Sequence, residues 1–346
     1  MKQLLTLTEG PDFVCFRYRV AAFRAALADR GWELKMLRRA KTIPDFFQQM
    51  SEVAAADAVL LQRRLLCWWK RRLLRRSAKK LLFDFDDALF LRDSNHHKRH
   101  HDARRWRRFR QTVRTADACL AGNDHLCEQA TACGKTSDVH RIPTCVDHRL
   151  YETARHERTG RDVQLVWIGS RGTMDSLRCA HAGIVNATQR MPGLTLKVIC
   201  DVFPELADVS ILPVEWSSAI EAPEIAAADI GIAWLPDHPW SLGKCGLKTL
   251  QYMAAGLPVV ANRIGVHHDL VIHGETGFLT DTPDEWGRAI EILANSPELR
   301  RRMGQAGRAH LIQHYSVERW APQFAAIIDE SASNLLSPLC ARSSLS

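Results

Sequence analysis

Two lysines four residues apart are the first feature of this chain that could do chemistry. Lys244 and Lys248 stand among glycines in Leu242-Gly243-Lys244-Cys245-Gly246-Leu247-Lys248, at the start of a run that reads as a helix over 247–255, stopped by Gly256 and Pro258. At helical spacing the pair shares one face and both ammonium groups reach a diphosphate. The dipole at a helix N-terminus repels cations, and an anionic ligand would resolve that conflict. Two solvated surface lysines would give the same pattern. A second strand-to-helix junction, Gly169-Ser170-Arg171-Gly172-Thr173, has small residues whose backbone N–H groups can approach an anion. A plain tight turn has the same composition. Asp86 and Asp87 close a strand-like run, and paired carboxylates can shift each other's pKa for acid/base work. Capping and loop anchoring is their simpler role. Arg17 and Arg19 follow the first strand and could bind a phosphate or an acidic acceptor.

Residues 63–80 hold nine basic residues and no acid. Read as a helix, they put Leu65, Trp69 and Leu73 in one stripe and turn Arg64, Arg71 and Arg75 away from it. A cationic helix with Trp and Leu opposite suits the surface of an anionic bilayer. A core-facing helix with a solvated basic face explains the stripe but not the absence of acids. Membrane contact is therefore expected of Trp69, Arg71, Arg72, Arg75 and Arg76. A second basic run, 98–110, offers Trp106 and Phe109 for base stacking. No recognised nucleic-acid motif accompanies it, so lipid head groups or an anionic acceptor are the expected partners, and no specific nucleic acid.

The elements that must position these residues alternate. Strand-like runs occupy 3–7, 33–37, 58–62, 80–85, 118–121 and 138–142, with helix-like runs at 19–30 and 46–55. A second series has strands at 163–168, 194–199, 211–214, 230–234 and 258–261. Its helices run over 247–255, 285–294 and 297–315, with a last one from 317 to about 331 behind the N-cap Ser316. The alternation predicts an α/β fold of parallel sheets covered by helices, with ligands at the carboxyl ends of the strands. A length of 346 residues suits two domains. They are read as 1–150 and 151–315, joined by a polar linker over 152–161. A C-terminal helix, 316–332, and a disordered tail, 333–346, follow.

Charge separates the halves. Residues 1–150 carry 30 Lys and Arg against 17 Asp and Glu, a balance of +13, while the remainder is at −5. The first half therefore faces something anionic. The ten cysteines form no Cys-x-x-Cys pair, so no metal site is expected, and the thiols suit a reducing cytoplasm. No run of about 18 apolar residues occurs, and the N-terminus reads as a strand rather than a signal peptide.

Residues 244–261, KCGLKTLQYMAAGLPVVA, resemble the donor-site motif of glycosyltransferase family 4, a group with the GT-B fold. The likeness continues through Gly265, Trp286, Arg301-Arg302-Met303-Gly304 and Tyr315-Ser316. It is looser through Arg17-Tyr18-Arg19-Val20, Asp84-Phe85-Asp86-Asp87, Gly122-Asn123 and Ile142-Pro143-Thr144-Cys145-Val146-Asp147. The resemblance implies two facing Rossmann-like domains with the active site in the cleft between them, and a last helix that crosses back to the first domain. The C-terminal domain would hold a nucleotide diphosphate sugar as co-substrate and the N-terminal domain the acceptor. It implies retaining transfer with no metal or other cofactor, lysine and helix dipoles stabilising the leaving diphosphate.

Where the family motif usually carries two glutamates, this chain has Gly243 and Gln251. The Gly-Lys-Cys-Gly-x-Lys variant resembles a branch found in envelope polysaccharide synthesis. On this resemblance Lys244 is the catalytic cation, Lys248 a second diphosphate ligand and Gln251 a ribose ligand. Gly169, Ser170 and Thr173 line the phosphates. Trp216 is a candidate for the base pocket, or a buried structural ring. The expected function is sugar transfer to a hydroxyl of a glycan or lipid-linked acceptor, by a cytoplasmic enzyme peripheral on the inner face of the membrane. A nucleotide-sugar epimerase of the same fold would share these features. So would a non-catalytic membrane- or nucleic-acid-binding descendant of a transferase.

Overall fold

The computed structural model describes residues 1–92, 100–134 and 138–333. The tail from 334 onward, and Lys98 and Arg99 of the second basic run, lie outside the described residues. The chain divides into two compact units. Unit 1 takes Met1–Arg92, His101–Pro143 and the chain from Trp320; unit 2 takes His100 and Thr144–Arg319.

Unit 1 alternates strand and helix: β1 (Lys2–Thr8), α1 (Val14–Arg19), α2 (Arg24–Asp29), β2 (Trp32–Arg38), α3 (Ile43–Ala55), β3 (Ala58–Gln62), α4 (Trp68–Ser77), β4 (Leu81–Phe85), α5 (Ala103–Thr115), β5 (Ala118–Ala121), α6 (Asp124–Ala132) and β6 (Val139–Arg141). Its six strands are parallel in the order β2-β1-β3-β4-β5-β6. β3 and β4 are buried along their whole length, as strands covered on both faces must be. The single helix expected over 19–30 is broken. A 3-10 turn, Ala21–Phe23, separates α1 from α2. The reason is packing: Val20 and Phe23 are both fully buried, and 3-10 geometry brings positions i and i+3 into line.

Unit 2 repeats the pattern: β7 (Gln164–Ile168), α7 (Met174–Cys179), α8 (His181–Arg190), β8 (Thr195–Cys200), β9 (Ser210–Glu215), α9 (Glu221–Ala226), β10 (Ile230–Ala233), α10 (Leu247–Ala254), β11 (Val259–Asn262), α11 (His267–Leu270), β12 (Gly277–Thr280), α12 (Pro283–Ala294) and α13 (Pro297–Tyr315). Its parallel sheet has the order β12-β11-β10-β7-β8-β9. Trp167 and Trp286 anchor the core on one face. The stretch 152–161 is not a free linker. It packs on unit 2, with His156 Nε2 2.8 Å from Gly256 O and Arg158 paired to Asp229 at 3.0 Å. Polar composition alone does not distinguish a linker from a strap whose side chains find partners on the domain beneath it.

The last helix, α14 (Val317–Ser333), groups with unit 1 from Trp320 onward. Phe324 stacks on Phe23 at 4.5 Å, and Asp329 accepts from Trp32 Nε1 at 2.7 Å. Each sheet reverses its strand order once, between β1 and β3 in unit 1 and between β7 and β10 in unit 2. The carboxyl ends of those strand pairs are where open α/β sheets bind ligands.

Candidate functional site

The lysine pair lies at the reversal point of unit 2. The chain leaving β10 is tied down by Asn262 at the end of β11, whose amide accepts from Leu235 N (2.9 Å) and donates to Leu235 O (2.7 Å). It then makes a 3-10 turn, Pro239–Gly243, and Lys244 follows in extended backbone. Gly246 is the N-cap of α10 at φ +67°, and a Cβ there would stand 2.3 Å from Leu270 Cδ1. Only glycine fits this position, and it starts the helix after Lys244 rather than before it. The two lysines are therefore not one helix apart, as their spacing suggested. A turn, not a helix face, brings them together.

α10 is pinned to the sheet by Tyr252, whose hydroxyl accepts from Ile168 N at 3.1 Å at the end of β7. One turn earlier, Lys248 Nζ lies 5.0 Å over the ring of Trp167. Burial, and then the charge of Lys244, push the Lys248 ammonium down to about 7. His267 on α11 is pushed down to about 4 by burial, with the Lys248 charge adding to the shift, and is held neutral. The Lys244 ammonium sits 3.4 Å from the ring centroid of Trp240. An anion beside this pair would restore the proton that burial removes from Lys248.

The other expected donor residues divide. Gly169 packs against the Trp167 ring over which Lys248 lies: a Cβ would meet Trp167 Cη2 at 2.2 Å. The phosphate-cradling role of the turn it opens meets a correction. Gly169 N donates to Ile199 O (2.9 Å), Ser170 N to Thr173 Oγ1 (3.0 Å), Arg171 N to Asp201 Oδ1 (2.8 Å) and Thr173 N to Ser170 O (2.8 Å). These donors are spent inside the protein, and Asp201 adds a carboxylate where an anion was expected. Gln251 is buried, with its amide donating to Tyr151 Oη at 3.1 Å, a packing position rather than an open one for a ribose. Trp216 follows the edge strand β9, two strands from the reversal point, and its indole donates to Glu221 at 3.0 Å. That contact ties the end of β9 to α9.

At the reversal point of unit 1 the structure corrects two expectations. Arg19 is fully buried and grips Asp84 with Nε (3.0 Å) and Nη2 (2.5 Å), while Nη1 donates to Ile142 O at 2.8 Å. Its guanidinium is consumed by the fold, so it is no phosphate or acceptor ligand. Asp86 and Asp87 do not act on each other as an acid/base dyad. They share Arg63, at 3.0 and 2.8 Å, and Arg63 also donates to Cys15 Sγ at 2.7 Å. Burial pushes the Cys15 thiol up, so it is no nucleophile. Sequence reading missed Arg63 because it opens the basic run and looked like one of nine equivalent cations. Its place directly after the buried strand β3 was the available signal. Arg17 is half-buried on α1, with its guanidinium 5.2 Å over Tyr18.

α4 begins at Trp68, so Leu65 lies outside it and the expected stripe does not form. The residue it buries is Leu74. Trp69 is taken by packing, stacked on Phe47 (6.2 Å) and edge-on to Phe46 (5.7 Å) of α3. Arg71 is half-buried and Arg75 pairs with Asp117 at 3.3 Å, whereas Arg72 and Arg76 are exposed. The exposed apolar groups are Trp68 (70% exposed), Phe47 (55%) and Ile43 (56%). In the second basic run Phe109 is core, so it stacks no base, while Trp106 rests edge-on against Phe90 and stays part-exposed.

Among the described residues, Asp147, His148 and Glu318 bring ligand atoms within 4.8 Å of one another. Arg149 Nε already pairs with both carboxylates, at 2.8 and 3.1 Å, which disfavours a cation there. Among the described residues no helix is long and apolar enough to cross a membrane.

Residues 230–310 match the family described as Glycosyl transferases group 1. That span holds both lysines, Trp240 and the whole of α10. A D-inositol 3-phosphate glycosyltransferase of Pseudarthrobacter chlorophenolicus is 38% identical over 93 residues, 25% of this chain and 21% of the relative. The matched segment spans about a fifth of the curated relatives' length. Among solved structures, sucrose-phosphate synthase from Thermosynechococcus elongatus superposes with TM-score 0.73 at 16% identity, over 95% of this chain and 99% of that one. Anabaena HepE in complex with UDP-glucose gives 0.68 at 16% identity, over 96% and 100%. With two six-stranded parallel sheets and these neighbours, the fold is GT-B.

Proposed function

We propose that this chain is a retaining, metal-independent glycosyltransferase that moves a sugar from a nucleotide diphosphate sugar to a hydroxyl of a glycan or lipid-linked acceptor. The observation that carries the reading is the Lys244–Lys248 pair, within the segment that matches group 1 glycosyl transferases and at the ligand-binding end of β7 and β10. UDP-glucose in HepE makes UDP-sugars the first donors to try. In the reaction the acceptor oxygen bonds to the anomeric carbon and the bond from that carbon to the diphosphate oxygen breaks. The electron pair stays on the diphosphate, and the acceptor's proton passes to it. Charge therefore grows on the leaving group. Two ammonium groups in a partly desolvated setting stabilise it, the task a metal ion performs in other sites. The setting in this reading is envelope polysaccharide or glycolipid synthesis on the inner face of the cytoplasmic membrane.

The test begins with a thermal-shift screen of UDP-, GDP- and ADP-sugars, followed by turnover with the stabilising donor and a glycan acceptor. One donor class should raise Tm. Lys244→Ala should leave no detectable turnover while keeping the wild-type circular dichroism spectrum. Wild-type turnover in that variant would remove the reading, and conversion of donor without acceptor would make the protein an epimerase.

Membrane contact belongs to the same proposal, with different anchors from those the sequence suggested. Trp68, Phe47 and Ile43 are exposed on α4 and α3, with Arg72 and Arg76 exposed on α4. Apolar rings beside cations fit an anionic bilayer. Co-sedimentation with phosphatidylserine vesicles should fall when Trp68 and Phe47 become Ser. Unchanged binding would refute it.

A further inference from the structure

We propose that Arg71 and Arg108, brought together where α4 packs on α5, form a binding site for the phosphate group of an anionic lipid. The proposal rests on the membrane contact above and names what that contact recognises. α4 and α5 lie against each other in unit 1. Residues 63–80 carry no acid, and neither do residues 103–116. Arg71 and Arg108 are both half-buried. Burial pushes the Arg71 guanidinium down from its ordinary value and the Arg108 charge pushes it the same way, with the Cys67 thiol acting against them. The acids at the two ends of α5 are engaged elsewhere. Asp102 caps the helix and pairs with Arg92 at 3.0 Å, and Asp117 pairs with Arg75 at 3.3 Å. Among the described residues no carboxylate is paired with Arg71 or Arg108.

Two like charges that face each other out of full solvent cost stability, and an anion beside them reverses the sign of that interaction. Guanidinium forks match the oxygens of a phosphate, so one phosphate answers both charges. The surrounding surface points to a lipid as its source. Trp68 lies one helical turn before Arg71 and is 70% exposed. The exposed Arg72 follows Arg71, and the exposed Arg104 stands one turn before Arg108. An indole seated at headgroup level turns its ring to the acyl boundary and leaves neighbouring cations at the depth of the lipid phosphates. A soluble phosphate has no use for the exposed ring.

The probes are inorganic phosphate and phosphatidylglycerol vesicles, read by phenylglyoxal labelling of single arginines mapped by mass spectrometry. Phosphate replacing chloride at equal ionic strength should slow labelling of Arg71 and Arg108 about threefold at roughly twice its Kd, with the exposed Arg178 of unit 2 unchanged. Phosphatidylglycerol vesicles should slow it as well, and phosphatidylcholine vesicles should not. A cation near an anionic bilayer contributes about fivefold to binding, so Arg76→Gln should weaken vesicle co-sedimentation by about that factor. Arg71→Gln and Arg108→Gln should each weaken it more than about tenfold, since each removes charged hydrogen bonds to the phosphate. Arg71→Met should not lower Tm in the absence of vesicles, because it relieves a like-charge contact; a fall would show that the protein itself holds the guanidinium and would overturn the site. Losses at Arg71 and Arg108 no larger than at Arg76 would also overturn it, while leaving membrane contact standing. Protection by phosphate but not by vesicles would refute the lipid assignment. Absence of any vesicle binding by the unaltered protein would remove the membrane reading and this proposal with it.

Discussion

Raising the pH from 7 to 9 should weaken nucleoside diphosphate binding about fiftyfold, through Lys248. Burial and the Lys244 charge hold its ammonium at about 7 in the donor-free protein. A diphosphate beside it favours the charged form and lifts the bound-state pKa well above 9. Binding then requires a proton that is half absent at pH 7 and about 99% absent at pH 9, so the apparent Kd scales as 1 + 10^(pH−7), from about 2 to about 100. The other groups around Lys248 do not mimic this. Burial holds the Cys200 thiol above its ordinary value, and His267, at about 4, is neutral throughout.

Calorimetry at pH 7, 8 and 9 and constant ionic strength reads the slope, using the nucleoside diphosphate that the thermal screen selects. Repeating it in buffers of different ionisation heat reads uptake of about half a proton at pH 7 and about 0.9 at pH 8. Lys248→Arg, which stays charged, should flatten the profile. Affinity constant within twofold from pH 7 to 9, or an equal slope in Lys248→Arg, would refute the reasoning. The sign for stability follows from the same shift. A lysine depressed to about 7 from 10.5 leaves the unfolded chain holding more protons between those values. Stability of the donor-free protein therefore rises with pH across that window and is lower at its acid end.

Three further outcomes test the architecture. Arg19→Met strands the buried Asp84 carboxylate, so it should cost about 3–5 kcal/mol in chemical denaturation; a loss under 1 kcal/mol would mean water reaches the pair. Gly246→Ala forces a Cβ to within 2.3 Å of Leu270 at φ +67°, and should lower stability by about 1–3 kcal/mol and diphosphate affinity with it, read by melting and calorimetry. Trp69→Ala should destabilise unit 1 by about 3 kcal/mol or less, because its half-buried ring packs on Phe46 and Phe47. If Trp69→Ala abolishes vesicle binding with unchanged melting, the assignment of Trp68 and Phe47 as anchors is wrong.

The two series of strands were legible because a strand buried on both faces must be a short apolar run, and β3, β10 and β11 are such runs. Lys244 and Lys248 were legible as a pair through the glycines around them. Their resemblance to a donor motif lies in residues 244–261, inside the span matched by the group 1 family. What local sequence could not carry is which partner each polar group takes. Arg19 and Arg17 are two residues apart in one short helix, yet one is sunk against Asp84 from β4 and the other is half-buried beside Tyr18. Asp86 and Asp87 looked like a dyad until Arg63, from another strand end, came between them. Trp68 and Trp69 are neighbours, and the packing of α3 decides that Trp69 is covered and Trp68 is not. Residue type and spacing determined eleven of the twelve strands, the long helices of the second half and the cationic character of the site, but not the strand Gly277–Thr280 or the break at Ala21–Phe23. Tertiary structure alone decided which cations are consumed by the fold, because a charge is silenced or left available by groups far away in the chain.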